Sequence, residues 1–508
     1  MSRSTARSSA IFLTALSVVS QVLGFCYRVG LSRVVGAEVM GLYQLVMPVY
    51  SVLMSVVSVG LTAAVATLSA RYLALGQDNV ARRTVGVALG IFVWLMLPVA
   101  AVVLVLYDPI SVCLLGDART QLALILLLPC VALTAVENIH KHYFYGIGRV
   151  RPPAIIELTE QVIRAGAVLG LLLVFLPQNP ERTVGVIVLG MIVCEVFSAL
   201  ALVVLFGRRT GCTRTERGPE VRTVISIAWP VALTALLGNV MGAANAAVVP
   251  RMLIGGMTRE QAVSAFGVVS GMTLPMLSVP TLFLGALNLV MMPRVARYCA
   301  LGQRERTKGV VGRALTVVCV TIQPCMALLC AVGPELGRLL FGREDVGRYL
   351  PLLAAAVACG AVQSVLSGVL NGGGRQGTAA TIALVCDVVQ LGTTLLVMGR
   401  PGGGLEGFAA ALAVSGVLGV LLCDWAVRRR MGVQTKLLRL AALPALGAVL
   451  AGQTARLLLE RLRSAGMDGW PAVTVTLLFG GAVYVAALHA LGVRPGFLRR
   501  AGKKKIDK

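Results

Sequence analysis

Long, continuous runs of apolar residues dominate this 508-residue chain. Each run reaches about 20 residues, enough for a helix to cross the hydrocarbon core of a bilayer. A spanning segment must satisfy its backbone polar groups internally, and unbroken rather than alternating apolar runs indicate helices. With 57% hydrophobic and 13% charged residues, the chain is too apolar for a water-soluble domain. We therefore predict an all-α polytopic membrane protein of about 14 transmembrane helices. The spans are predicted at residues 8–31, 41–70, 84–107, 119–143, 154–176, 183–206, 222–250, 262–293, 309–332, 349–371, 376–398, 405–427, 437–459 and 470–492.

The formal net charge of +24 is spread unevenly over this predicted topology. With a cytoplasmic N-terminus, cytoplasmic segments carry 32 of the 46 Lys and Arg residues and external segments carry 13. This asymmetry predicts a multi-pass protein of the cell (cytoplasmic) membrane with both termini in the cytoplasm. Basic clusters at the inner face attract anionic lipid headgroups, which we favour over nucleic-acid binding. The largest clusters are Arg208, Arg209, Arg214, Arg217 and Arg222; Arg428, Arg429 and Arg430; and Arg499, Arg500, Lys503, Lys504, Lys505 and Lys508.

An eight-residue phrase occurs twice, as ARYLALGQ at 70–77 and ARYCALGQ at 296–303, separated by 226 positions. Further matches at the same offset predict an internal duplication, which in membrane proteins is typical of transporters. Six spans per repeat is an even number, so the two lobes are predicted to be parallel. The predicted organisation is an N-terminal lobe 1–206, a cytoplasmic linker 207–221, a C-terminal lobe 222–430, two extra helices 431–493 and a basic tail 494–508.

The repeated phrase falls at the end of the second span of each lobe. Arg and Tyr are common anchors there, and Gly-Gln suits a helix C-cap and turn, so we predict a structural role for the phrase. Pro98 and Pro324 occupy equivalent positions in the third spans, and Pro48 and Pro275 nearly equivalent ones in the second spans, with Pro280 beyond. Proline within a span predicts a bend.

The sequence contains no set of residues that indicates an enzyme. The histidines His140, His142 and His489 lack a third metal ligand nearby in sequence, and the 12 cysteines are scattered without metal-ligand spacing. No nucleophile is paired with a base. We predict a protein that is not an enzyme and has no cofactor.

Ionisable residues inside the spans are candidates for function, because each is costly unless it is paired or faces water. Glu160 and Arg164 lie one helical turn apart and can neutralise each other, so a structural ion pair and a cavity-lining role both stay open. Glu195 and Asp387 lie near the middle of their spans without a partner nearby in sequence. They are the candidates for coupling to H⁺ or Na⁺. Three further candidates on the first span and just beyond it are Gln21, Arg28 and Arg33.

Several of these motifs resemble one branch of a known transporter superfamily. The branch is that of stage V sporulation protein B and related polysaccharide flippases, within the multidrug/oligosaccharidyl-lipid/polysaccharide (MOP, MATE-like) exporters. The resemblance covers spans one to twelve. It rests on SQVLGF at 20–25, Arg28, RVVGAE at 33–38, GLYQL at 41–45, PVY at 48–50, Glu160-Gln161 with Arg164, Phe266-Gly267, Gly271-Met272, Pro275 and Pro280.

The resemblance implies two parallel six-helix lobes that alternate access and an undecaprenyl-pyrophosphate-linked saccharide or cell-wall precursor as substrate. It also allows coupling to H⁺, Na⁺ or membrane potential, and partnership with cell-wall synthesis enzymes. An anionic pyrophosphate suits arginine, so Arg28, Arg33 and Arg164 are the candidates to bind it, and Gln21, Glu160 and Asp387 to line the cavity. Lipid II flippases of the superfamily use several cavity arginines, whereas Gln21 stands at the matching first-span position here.

Two other functions are compatible with the same architecture. An ion-coupled, MATE-like exporter of drugs or other cations would use buried carboxylates such as Glu195 and Asp387. A mainly basic cavity favours the pyrophosphate substrate, and a mainly acidic one favours a cation. A membrane scaffold for cell-wall enzymes needs no related pair of lobes, so the duplication argues against it.

Overall fold

The computed structural model describes residues 3–175, 179–208, 218–400 and 403–492, and the regular elements within these ranges are all helical. The predicted basic tail and linker residues 209–217, with Arg209, Arg214 and Arg217, lie outside them. The helices are α1 Arg3–Met54, α2 Gly60–Ala74, α3 Asp78–Pro109, α4 Gln121–Gly146, α5 Arg151–Phe175, α6 Pro180–Gly207, α7 Val221–Leu253, α8 Arg259–Gly267, α9 Leu274–Ser278, α10 Phe283–Ala300, α11 Arg304–Phe341, α12 Leu350–Gly372, α13 Gln376–Met398, α14 Leu405–Met431, α15 Leu437–Ser464 and α16 Trp470–Ala490.

Thirteen helical segments of the described chain are long and apolar enough to cross a membrane. The first, Val18–Ala74, has 57 residues. A continuous helix of that length would extend for about 85 Å, far more than the ~30 Å core requires. Gly36, with φ of 76°, interrupts the helical geometry within it. The segment therefore supplies two crossings, and the predicted all-helical fold with about 14 crossings is confirmed.

The chain forms two compact units. The first contains residues 1–272 and 391–405, and the second contains residues 273–390 and 406–508. Helices α7 and α8 belong to the first unit, in which they pack against α1 and α2. The predicted lobes are defined by the sequence repeat, whereas the compact units are defined by contacts between residues. The two divisions therefore describe different properties of the chain.

Both copies of the repeated phrase fold into the same helix end. The amide of Gln77 donates to the carbonyl of Tyr72 at 2.9 Å, and the amide of Gln303 donates to that of Tyr298 at 2.9 Å. Each bond closes a turn that contains a glycine in the left-handed conformation, Gly76 or Gly302. A residue with a side chain would be strained in that conformation. The predicted C-cap and turn is confirmed. Three glycine pairs at the 226-residue offset share this left-handed conformation, namely Gly76 and Gly302, Gly116 and Gly342, and Gly148 and Gly374.

Helices α1 and α8 touch backbone to backbone within the first unit. A side-chain carbon at Gly41 would overlap the carbonyl of Val263, and one at Gly267 would overlap the carbonyl of Ala37. Only glycine permits such a close approach, because any larger residue would push the two helices apart.

Irregular turns join consecutive helices within two of the crossings, and a further π-helical turn, Ile110–Leu115, follows α3 at the end of another. A π-helical turn at Ser55–Val59 joins α1 to α2, and another at Val268–Thr273 joins α8 to α9. A 3₁₀ turn at Val279–Thr281, which includes Pro280, then leads into α10. Next to the first π turn, the amide of Asn239 on α7 donates to the hydroxyl of Ser55 at 2.6 Å. Such turns are where the regular hydrogen-bond ladder of a helix is interrupted.

Candidate functional site

Arg164 lies at the centre of a group of buried polar side chains between α5 and α6. Its guanidinium pairs with the carboxylate of Glu160 one turn earlier on α5. It also reaches across to α6, where it lies 3.2 Å from Glu195 and donates to the Cys194 sulfur at 3.4 Å. Glu160 is 4% exposed and Glu195 is 1% exposed, so this arginine neutralises charge where water is largely excluded.

A second ion pair lies on α4, beside the same part of α6. The ammonium of Lys141 is 3.2 Å from the carboxylate of Glu137 and 4.0 Å from that of Glu157. The hydroxyl of Ser198 on α6 donates to Glu137 at 3.0 Å. We call Glu137, Lys141, Glu160, Arg164 and Glu195 the buried charge cluster.

The buried charge cluster has more carboxylates than cations. Glu137, Glu160 and Glu195 face only Lys141 and Arg164, so one negative charge is left over if all five are ionised. The Oε2 atom of Glu195 is fully buried and accepts no hydrogen bond from the described residues. Leaving such an oxygen ionised and without a donor is costly, so a proton or a small cation at this carboxylate would stabilise the cluster.

Tyrosines of α1 contact α4 and α6, the helices that carry Glu137 and Glu195. The hydroxyl of Tyr50 donates to Thr134 on α4 at 3.1 Å, and that of Tyr43 lies 3.8 Å from the sulfur of Met191 on α6. The hydroxyl of Tyr27 is buried without a hydrogen-bond partner among the described residues. These three tyrosines make the neighbouring part of α1 aromatic and polar.

The sequence-predicted residues are only partly brought together. Glu160, Arg164 and Glu195 form one site, whereas Asp387 is half-buried on α13 in the second unit. Three candidates lie on α1 with exposed side chains, namely Gln21, Arg28 and Arg33.

The structure corrects one inference and adds a residue that was missed. Glu195 has no partner nearby in sequence, but Arg164 pairs with it across the interface of α5 and α6. The Glu160–Arg164 pair is thus one part of a larger cluster. Glu137 was not among the candidates, although its position inside the fourth predicted span and its i,i+4 spacing from Lys141 were visible signals.

The cluster is confined to the first sequence repeat. At the 226-residue offset, Glu137, Lys141 and Glu160 correspond to Gln363, Ser367 and Cys386. Likewise, Arg164 corresponds to Gln390 and Glu195 to Leu421. Every charged position has an uncharged counterpart, so the charges are not needed to build a lobe.

Glu160, Cys194 and Glu195 offer ligand atoms within 4.8 Å of one another, as a metal site would. Arg164 bonds to all three, however, so a guanidinium already serves as their cation. A divalent metal would meet this positive charge at short range, which disfavours a resident metal.

The two histidines of α4 bond locally. The Nδ1 atom of His140 lies 2.7 Å from the carbonyl of Val136, and that of His142 lies 2.8 Å from the carbonyl of Asn138. The ring of His140 also packs edge-on against Phe206. These contacts account for the HxH motif as part of the packing at the end of α4.

Two family models match this chain over long stretches. The model described as "Polysaccharide biosynthesis protein" matches residues 6–299, and the model described as "Lipid II flippase MurJ" matches residues 167–467. The chain is also 24% identical over 446 residues to stage V sporulation protein B of Bacillus subtilis (strain 168), with 86% of each chain covered.

Solved structures share the fold. The lipid II flippase MurJ in an inward closed conformation gives a TM-score of 0.72 at 13% identity and covers 95% of this chain and 100% of that chain. A multidrug resistance MATE family transporter of the MOP superfamily in an inward-facing conformation gives 0.69 at 14% identity, covering 83% and 98%. The predicted MATE-like fold is confirmed.

Proposed function

Because this chain belongs to the polysaccharide biosynthesis protein family and the lipid II flippase MurJ family, we propose that it moves a lipid-linked saccharide across the membrane. The family matches carry this proposal, since together they span residues 6–467. The substrate class is an undecaprenyl-pyrophosphate-linked saccharide, which fits the polysaccharide and cell-wall relatives. The lipid tail can stay in the bilayer while the headgroup crosses in a polar environment.

The proposal includes an orientation. We name the side at which α2, α4 and α6 end the Gly76 side, and the opposite side the Gly116 side. The excess of Lys and Arg in segments on the Gly76 side supports its assignment to the cytoplasm of the cell membrane. The substrate then enters from the Gly76 side and leaves at the Gly116 side.

Arginines of the first unit are suited to bind the pyrophosphate. Gln21 and Arg28 are seven residues apart on α1, and therefore share one helix face about 10 Å apart along the axis. The side chains of Gln21, Arg28 and Arg33 are all exposed on α1. Arginine forms bidentate bonds with phosphate oxygens, so Arg28 and Arg33 can bind the anionic head while Gln21 bonds to sugar hydroxyls.

The buried charge cluster is suited to couple this movement to protons. Glu137 on α4 lies beside the stretch of α6 that carries Glu195, since Ser198 of α6 donates to Glu137 at 3.0 Å, and buried carboxylates brought close together favour a proton on one of them. A proton on Glu195 would remove the cost of leaving its buried Oε2 ionised without a donor. From Glu195 the polar groups continue through Glu137 and Lys141 towards the Gly76 side, which supplies a route for that proton.

Glu195→Gln tests this coupling. Glutamine supplies a permanent donor in nearly the same volume, so we expect a folded protein whose transport rate no longer responds to an imposed proton gradient. Glu406→Gln, at an exposed carboxylate of the second unit, is the control, and Asp387→Asn tests the half-buried Asp387 as a separate candidate for coupling. Transport of Glu195→Gln that responds to the gradient as the parent does would exclude this role.

Depletion in cells tests the function itself. Without the protein, the lipid-linked precursor should accumulate in the inner leaflet, measured by its accessibility to a membrane-impermeant reagent in oriented vesicles. The strain must lack other flippases for the same precursor. Normal sidedness of the precursor in such a strain would exclude flipping.

A further inference from the structure

A cavity of 630 Å³ lies on the Gly76 side of the first unit, apart from the buried charge cluster. Its walls come from the end of α2, the start of α3 and the end of α4 with the turn that follows. It adjoins the first copy of the repeated phrase, since Leu73 within the phrase and Asp78 just after it both line the cavity. The volume is in the range of small-molecule and headgroup sites.

Arg82 is held in place on one wall. Its guanidinium donates to the carbonyl of Phe206 at 3.2 Å and lies 5.2 Å from the centre of the Phe206 ring. Tyr143, which also lines the cavity, packs edge-on against the same ring at 5.1 Å. An arginine has five N–H donors in a fixed plane, so these contacts orient the guanidinium at the cavity wall.

Arg149, in the turn after α4, supplies a second cation to the lining of the cavity. It follows Gly148, whose φ of 73° closes the turn after α4, and its amide donates to the carbonyl of Phe144 at 2.9 Å. Two arginines with anchored backbones thus border one cavity.

The N-terminus of α3 borders the cavity as well, through Asp78 and Asn79 of its first turn. The N-terminal end of a 32-residue helix carries a partial positive charge. Asp78 contributes the opposing charge, but a carboxylate in the first turn is largely compensated by that same helix end. With two arginines and one helix end against one carboxylate, the cavity favours an anion.

We propose that this cavity binds the phosphate group of an anionic phospholipid headgroup from the leaflet on the Gly76 side. The proposal rests on the proposed orientation, in which that leaflet is the cytoplasmic one, where basic pockets between helices bind acidic headgroups. Arg82 and Arg149 bind the phosphate oxygens with charge-assisted hydrogen bonds.

Two observations favour a lipid over a soluble phosphate. Leu73 on the cavity wall is 39% exposed and the neighbouring Leu75 is 62% exposed, which provides an apolar surface for the start of an acyl chain. Further along α3, Trp94 is 80% exposed and Leu97 is 65% exposed, as expected of a helix that faces lipid. The cavity is also far larger than one inorganic phosphate needs.

The second repeat offers a matched control. At the 226-residue offset, Arg82 and Arg149 correspond to Lys308 and Arg375, so both cations are present there. Tyr143 and Phe206 correspond to Val369 and Gly432, so the second repeat lacks the aromatic rings that support Arg82 in the first. Lys308→Gln with Arg375→Gln therefore removes the same number of charges without touching the proposed site.

The test measures lipid retained by the purified full chain. Protein in detergent is titrated with phosphatidylglycerol or phosphatidylcholine, and bound lipid is counted by native mass spectrometry. We expect the parent and the Lys308→Gln/Arg375→Gln control to retain phosphatidylglycerol in preference to phosphatidylcholine. Arg82→Gln/Arg149→Gln should bind phosphatidylglycerol at least about tenfold more weakly, because two charge-assisted bonds are lost.

The outcomes separate the possible sources of the phosphate. Equal retention by all variants would overturn the site. Displacement of phosphatidylglycerol by inorganic phosphate at an equal concentration would overturn the lipid assignment in favour of a soluble anion. Arg149→Gln alone leaves the contacts of Arg82 with Phe206 intact, so partial loss in this folded variant supports the site even if the double variant unfolds. Transport is not measured, so failure here leaves the proposed function standing.

Discussion

At the scale of single residues, Arg164 is the residue on which the other buried charges between α5 and α6 depend. It neutralises Glu160 and Glu195, which are both buried, and it bonds to Cys194 as well. A buried pair adds little net stability over an apolar equivalent, whereas removing one partner leaves a charge without compensation. The main effect of Arg164 is therefore to prevent buried carboxylates from being left without a compensating charge.

Arg164→Ala should destabilise the protein by about 3 kcal/mol, because two buried carboxylates lose their cation. Glu160→Gln and Glu195→Gln, added to Arg164→Ala, should restore much of that loss. Gln390→Ala is the control at the position that aligns with Arg164 in the second repeat. Thermal unfolding of the purified variants measures the differences, and a triple variant no more stable than Arg164→Ala would contradict this assignment of charge.

Sequence reasoning at this scale found three members of the cluster and missed the contact that joins them. Glu160 and Arg164 share a helix face, so their pairing follows from spacing alone. The contact from Arg164 to Glu195 depends on how α5 packs against α6, which no local pattern contains. Glu137 was overlooked, although its i,i+4 spacing from Lys141 was visible in the sequence.

At the scale of helices, glycines set how closely elements approach. Gly41 and Gly267 belong to two of the motifs that carried the family resemblance, and the structure shows them at one contact between α1 and α8. The motifs therefore encode helix packing here rather than a binding site. Both glycines stand in sequence motifs, but their contact depends on how α1 packs against α8 and could not be predicted from the sequence.

Gly267→Ala should lower stability by about 1–3 kcal/mol, because its new methyl group would overlap the backbone of α1. Gly285→Ala on α10 is the control, since nothing lies within 4 Å of the added carbon. There we expect a neutral or slightly stabilising effect. Chemical or thermal unfolding compares the two, and equal stability of both variants would rule out the close contact.

At the scale of the whole molecule, apolar run length predicted the crossings well, since a bilayer imposes one length on every span. The repeat predicted the matching turns, because three left-handed glycine pairs recur at the same offset. The two compact units were not predicted, because contacts of α7 and α8 with α1 and α2 depend on conformation and not on repetition.

The proposed orientation predicts which native cysteines can be reached from outside. Cys113 and Cys299 are both exposed. Cys113 lies at the Gly116 side, and the predicted topology puts Cys299, in the second copy of the repeated phrase, at the cytoplasmic end of its span. In variants that keep one cysteine each, a membrane-impermeant maleimide should label Cys113 in intact cells and Cys299 only after permeabilisation. The reverse labelling pattern would show that the protein has the opposite orientation in the membrane.

Flipping by the purified protein tests the central claim most directly. Proteoliposomes containing a fluorescent undecaprenyl-pyrophosphate saccharide are treated with a membrane-impermeant quencher, which reaches only the outer leaflet. Vesicles with the parent protein should lose nearly all fluorescence, because flipping delivers inner-leaflet lipid to the quencher, whereas protein-free vesicles should keep the inner-leaflet fraction. A folded parent protein that leaves the inner-leaflet fluorescence as stable as in protein-free vesicles would contradict the account.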